Sequence, residues 1–427
     1  MKKLFRFAAA LMMTSLLASC GGDDKEEFKP SLDPETKCDI RVVGDYSNFE
    51  ALEAEFDKFN EFYPKVTLSY QKIDDYTNNL GTALSRESDV PNIFFSYASW
   101  MAGGDKNATA RAHMEDLLDP SLKLNLDCIR SGLLNHADSG EVYMVPVFSR
   151  TYGTMVNLDL FKKENIEIPA TWNELLAACQ SFLDKGYESP MMGYSAKDSS
   201  CLMNTIAYPA FVAELAKKPE ALAKANNLDP EAGEYMRVAL TKVKDLVDSG
   251  AINIDKCDLI SDNYTQVILR FFEGDVPMMI AAADTVSGTK KRESQSTAFS
   301  ESPFEYTYIP IPMTDQGGYF IDSPSIEFSV NKDCENLDMT NEFMRFLVRT
   351  EELNAMASIK RLVTPTKKLS FDPVYAAFGE IPAERTFSPE GLGVKDPLAK
   401  QIRLASFKVG KGTLTVDEAV SMYGSLE

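Results

Sequence analysis

Ten residues in this chain have types suited to holding a polar small molecule. They are Asp45, Tyr46, Tyr97, Ser99, Trp100, Arg150, Tyr152, Tyr208, Asp284 and Tyr319. Aromatic rings offer apolar faces to the C–H surfaces of a solute, and carboxylate, hydroxyl and guanidinium groups answer its hydroxyls. Reaction chemistry is far less evident. His113 and His136 are the only histidines, without metal-ligand spacing, and no GxSxG elbow occurs. Ser69–Lys72 and Ser329–Lys332 match SxxK, but both fall on expected strands, where residues three apart point to opposite faces. Gly410–Thr413 lacks phosphate-loop spacing. The pattern indicates binding rather than catalysis, with no cofactor and no metal expected.

Strands alternating with helices must position these residues. Asp39–Val43 reads as a strand, followed by a Ser47/Glu50 capping box and a helix with Leu52, Phe56, Phe59 and Tyr63 on one face. Val66–Tyr70 is a second strand, Asp74–Glu87 a helix, and Ile93–Ser96 an apolar third strand. This order implies parallel βαβ units, with ligands at the carboxyl ends of the strands, the edge that carries Asp45, Tyr46, Tyr97, Ser99 and Trp100. Val142–Phe148 and Tyr152–Asn157 are further strands. Pro169 leads into a Thr171/Glu174 capping box and a helix burying Leu175, Cys179 and Phe182. At the first turn of that helix Trp172 is a packing residue. Beyond it, Met236, Leu240, Val243 and Val247 mark a helix face, Asn263–Gly274 is a helix running into the strand Val276–Ala282, and Ala283–Thr285 is a loop. Ile326–Val330 is a strand and Asn341–Ala357 an amphipathic helix.

At the N-terminus, Lys2, Lys3 and Arg6 precede the apolar run Phe7–Leu17, too short to span a bilayer about 30 Å thick. Leu17–Cys20 is similar to a bacterial lipobox, which implies an exported protein lipidated at Cys20 and held at the extracytoplasmic face of the cell membrane. Loss of the three basic residues with residues 1–19 would take the formal charge from -20 to -23. Such a charge argues against a nucleic-acid partner, which needs a basic face. Residues 20–38 read as a flexible tether. The six later cysteines, at 38, 128, 179, 201, 257 and 334, permit disulfides or reduced, buried thiols.

Several passages in order resemble the bacterial extracellular solute-binding proteins of family 1, the maltose-binding-like proteins of ABC importers. They are Phe59–Leu68, Asp89–Phe94, Tyr143–Pro146, Val156–Lys163, Pro169–Leu175, Phe271–Ile280, Ile309–Pro312 and Leu362–Pro365. The chain lacks the Trp that the family often carries near Ala283–Thr285. The resemblance implies an α/β fold of periplasmic-binding-protein type II, two lobes joined by a hinge crossed more than once. Lobe one would comprise 39–154 and 286–330, and lobe two 155–285 and 331–427. It further implies a monomer that captures a mono- or oligosaccharide by hinge closure and delivers it to a membrane permease. A secreted carbohydrate-active hydrolase and a ligand-binding lipoprotein for a sensor system are the alternatives.

Overall fold

The computed structural model describes residues 27–102, 107–137, 139–193, 201–260, 264–280, 283–368, 373–379 and 385–427. Cys20 and the leader lie outside them. Among the described residues no helix is long and apolar enough to cross a membrane.

Two hydrophobic cores organise the chain. The first surrounds a five-stranded sheet of order β2-β1-β3-β12-β4, formed by β1 (Cys38–Gly44), β2 (Val66–Lys72), β3 (Ile93–Ser96), β4 (Val145–Pro146) and β12 (Glu327–Val330). Here β1 runs parallel to β2 and β3, whereas β12 runs antiparallel to β3 and β4. The central strands β3 and β12 are buried at every position, as the runs IFFS and EFSV require of strands covered on both faces. The helix Glu50–Asn60 seals one face with Leu52, Phe56 and Phe59.

The second core is built on the sheet β7-β8-β6-β9. Its strands are β6 (Thr154–Asn157), β7 (Met191–Met192), β8 (Met278–Ile280) and β9 (Tyr306–Ile309). Beside it lies a smaller sheet of β10 (Ile311–Thr314), β11 (Gly317–Pro324) and β13 (Thr386–Phe387), with β5 (Ser149–Tyr152) paired to β11. The Thr171/Glu174 capping box is present in full on helix Trp172–Asp184. Trp172 is 7% exposed and packs, with Lys242 Nζ 3.9 Å from its ring centroid.

The cores divide the chain differently from the expected segments. Val286, Tyr306–Ile311 and Phe320–Ile321 belong to the second core, because β9 pairs with β6. Met339–Ala357 belong to the first, where Phe343 and Phe346 pack on Phe59 at 5.2 and 5.5 Å between ring centroids. That stretch is also two helices, Leu337–Leu347 and Thr350–Lys360, rather than one.

The chain therefore passes between the cores three times: between Phe148 and Met155, between Ile321 and Ile326, and between Ala357 and Val363. The first two passages lie side by side, with Ser149–Tyr152 antiparallel to Ile321–Pro324.

Two further expectations need correction. The Ser47/Glu50 capping box does not form; the helix begins at Glu50 with buried Phe49 before it, and Glu50 binds Lys360 Nζ at 2.9 Å. Nor is the segment before Lys37 a free tether throughout. Phe28 is 5% exposed, its ring against Phe62 and Phe346 at 5.1 and 5.2 Å, with the Arg345 guanidinium 4.5 Å from its centroid. Ser31 donates through its amide and hydroxyl to the Glu342 carboxylate, both at 2.7 Å. One aromatic in a polar run is enough to dock the segment, because it buries a large apolar area beside a charge-assisted network.

Candidate ligand cleft

Strand direction sets the cleft edge. The ends of β1, β3 and β4 and the start of β12 meet on one side of the first sheet, as the pairs Val43–Phe94, Ser96–Glu327 and Pro146–Glu327 require. The chain leaves this edge for the other lobe at Phe148 and returns to it at Ile326. A crevice outside the carboxyl ends of such strands is the expected ligand position in an open α/β sheet.

Four of the ten candidates gather there. The Tyr97 hydroxyl donates to Asp45 Oδ2 at 2.7 Å, and burial followed by the Asp45 carboxylate holds that phenol well above its ordinary pKa. The Arg150 guanidinium acts on the same phenol in the opposite sense and reaches Ser325 Oγ from Nε at 3.4 Å. Asp45, Ser99 and Arg150 are exposed and Tyr97 is half-buried, so hydroxyl, carboxylate and guanidinium groups are all open to a solute.

The other candidates stand differently. Tyr46 is half-buried with its ring edge-on to Phe49 and Phe95, and Lys360 Nζ sits 5.2 Å from its centroid. Trp100 is 4% exposed and packs against Tyr97 and Tyr76, so its ring is committed to the core and not to a ligand. Tyr152 ends β5 opposite Ile321. Asp284 lies in a helix, Ala283–Glu293, where a loop was expected. Tyr208 and Tyr319 belong to the second lobe. Tyr208 meets the Phe387 ring at 6.1 Å, and Tyr319 lines a cavity of about 570 Å³ with Met313, Phe387, Leu392 and Lys242. That cavity reaches the first lobe at Gly132.

The cleft edge also holds groups that sequence reasoning missed. Glu327 is fully buried; its Oε1 accepts from Asn135 Nδ2 at 3.3 Å, and its Oε2 has no hydrogen-bond partner among the described residues. Burial pushes this carboxyl up to about 8, and Glu390 from the other lobe adds to the shift. Burial likewise raises Glu390, near Ser323, Asp322 and Arg150. An acidic residue inside the apolar strand I-E-F-S-V was the available signal for Glu327, because buried carboxylates are rare. His113 and His136 are away from ligand chemistry, bound to Asp333 and to the Gly140 carbonyl. Cys38, Cys128, Cys179, Cys257 and Cys334 are free thiols, consistent with the reduced alternative at those positions.

Comparison with known proteins completes the assignment. The family model described as bacterial extracellular solute-binding protein matches residues 51–383. A search of curated proteins returned no match. Among solved structures, the sugar-binding protein MalE from Xanthomonas citri is 18% identical, with a TM-score of 0.71 over 91% of this chain and 95% of that one. A family 1 extracellular solute-binding protein from Bifidobacterium longum subsp. infantis is 16% identical, with a TM-score of 0.70 over 91% and 98%. A Bacillus licheniformis sugar transporter protein in complex with stachyose is 15% identical, with a TM-score of 0.57 over 91% and 100%. These likenesses match the two-lobe α/β architecture, and the extent of the family match makes this chain a member of the bacterial extracellular solute-binding proteins, a family of binding proteins rather than enzymes.

Proposed function

We propose that this protein is the lipid-anchored solute-binding component of an ABC importer, capturing a mono- or oligosaccharide between its lobes. The observation that carries this reading is the Asp45–Tyr97–Arg150 group, exposed at Asp45 and Arg150, beside a triple interlobe crossing. These groups and Ser99 would bind the solute's hydroxyls first, and closure would then bring Tyr208 and Tyr319 of the other lobe toward it. The stachyose bound to the Bacillus licheniformis neighbour supports the sugar class. Ligand drives closure only to the extent that it binds the closed state more tightly than the open one. The lipid on Cys20 would hold the monomer at the extracytoplasmic face of the membrane, near its permease, raising the local concentration of each for the other.

Thermal unfolding of the domain from Glu27 onward, against sugars, amino acids, peptides and polyamines, tests the ligand class. A sugar at about 100 times its dissociation constant should add about 2.7 kcal/mol. A shift with an amino acid or polyamine and with no sugar would overturn the sugar assignment. Palmitate labelling of cells expressing the full chain tests the anchor, since label retained by Cys20→Ala would exclude lipidation at that thiol.

A further inference from the structure

A single side chain joins all three interlobe passages. Arg130 stands beside the first core, directly after Ile129 and four residues after Leu126, both part of that core. Its Nε donates to Asp322 Oδ2 at 2.7 Å and its Nη2 to Asp322 Oδ1 at 3.0 Å, a bidentate pair on the second passage. Nη2 also donates to Ser149 Oγ at 2.8 Å, on the first passage. Nη1 donates to the carbonyls of Thr364 and Thr366 at 2.7 and 2.9 Å, just past the third. Five acceptors thus match the five N–H donors that a guanidinium carries.

The acceptors are themselves tied together. Thr151 Oγ1 donates to Asp322 Oδ1 at 2.6 Å, and Ser149 Oγ lies 3.1 Å from the Val363 carbonyl. The backbone repeats the arrangement: Arg130 N donates to Pro365 O, Lys367 N to Cys128 O, and Ser149 N to Val363 O. The side chains of Asp322 and Arg130 are 3% and 18% exposed, so the pair is largely out of water. A buried carboxylate that loses its cation is costly, and a guanidinium left with fewer acceptors is too. Separating any one passage from the other two therefore breaks charge-assisted bonds. Rotating the three together breaks none of them.

We propose that Arg130 is the pin of the interlobe hinge: one guanidinium holds the three crossing segments as a unit, so that the lobes move about one axis. It is a positioning residue and need not touch the solute. Lysine cannot replace it, since an ammonium has three donors and no planar fork.

Spin labels on p-acetylphenylalanine at Glu87 in one lobe and Asp245 in the other give the interlobe distance distribution of the full chain by double electron–electron resonance, without added solute. Wild type should give a narrow distribution. Arg130→Met should at least double its width, and Arg130→Lys should fall between, with the circular dichroism of both unchanged. A merely structural arginine would lower the melting temperature and leave the width alone. Should Arg130→Met not fold, Arg130→Lys decides by itself. A folded variant with the wild-type width overturns the proposal.

Discussion

The two lobes share an architectural plan but fill their interiors with different chemistry. Lobe one packs a dense aromatic set, with Phe49, Phe95 and Phe328 in mutual contact, and it buries four glutamates, Glu55, Glu327, Glu342 and Glu352. Lobe two is lined with helices and methionines, including Met155, Met278, Met279 and Met313. Among the described residues its buried polar groups are mostly neutral, such as Thr154, Asn157, Thr289 and Gln401. Outside lobe one, Asp322 is buried in the hinge and neutralised by Arg130, and Glu390 of lobe two is raised by burial at the cleft edge. One lobe is thus stabilised partly by charge and the other mainly by apolar packing. Lobe one, where burial raises Glu55 and Glu327, against Glu390 in lobe two, should therefore respond more strongly to pH.

Nature supplies one tryptophan to each lobe, Trp100 and Trp172, both nearly buried. Fluorescence of Trp172→Phe then reports lobe one, and that of Trp100→Phe reports lobe two. The largest effect expected is from Phe182→Ala, which empties the centre of lobe two, where Phe182 contacts Phe161 and Tyr187. It should cost about 3–5 kcal/mol and move the Trp172 transition more than that of Trp100. Equal movement of both would mean that the lobes unfold as one unit and that their contrast has no thermodynamic counterpart.

Removing the anchor of the segment before Lys37 with Phe28→Ala should cost about 2–4 kcal/mol and show the opposite preference, through Trp100. That outcome was hard to read from the sequence. A polar, Pro-containing stretch reads as a tether, and its partners, Glu342 and Phe346, are more than 300 residues away. The helices and strands were legible because their signals are local: Thr171 and Glu174 are three residues apart, and the IFFS strand is four residues long. The lobe assignment of 286–321 and 331–357 depends on non-local pairing, such as β6 with β9, which has no sequence period. Arg130 was illegible for the same reason, its farthest acceptor being 236 residues on. Of the site, the strand-end position of Asp45, Tyr97 and Ser99 follows from βαβ alternation. The burial of Trp100 does not, because a tryptophan at a strand end suits a platform and a core equally.

The pH contrast comes next in size. Burial raises Glu327 to about 8, and raises Glu55 to about 7 against the pull of Lys58, both from 4.5. The folded state thus holds protons that the unfolded state gives up. That stability is present below pH 4.5 and is lost as pH rises through 7 and 8. Glu342 behaves in the opposite way. Burial would raise it, but Arg345, Tyr63 and Ser31 outweigh that and hold it at about 2, so its contribution is lost as pH falls from 4.5 toward 2. Between pH 5 and 8 the Trp100 transition should weaken by more than that of Trp172, in whose lobe Glu390 is, among the described residues, the carboxyl that burial raises. Glu327→Gln, neutral at every pH, should remove much of the slope; an unchanged slope would show that Glu327 is not its source. The smallest effect is local to lobe two. Thr171→Ala removes a capping hydroxyl and should cost about 1 kcal/mol, visible as a small drop in the Trp172 denaturation midpoint.

The proposed function requires capture by closure of two lobes about a shared hinge. Small-angle scattering of the domain from Glu27 onward tests it most directly, with and without the sugar found to stabilise it, and with calorimetry on the same samples to establish saturation. Closure predicts a smaller radius of gyration in the saturated sample. A saturated sample with an unchanged radius of gyration would contradict it.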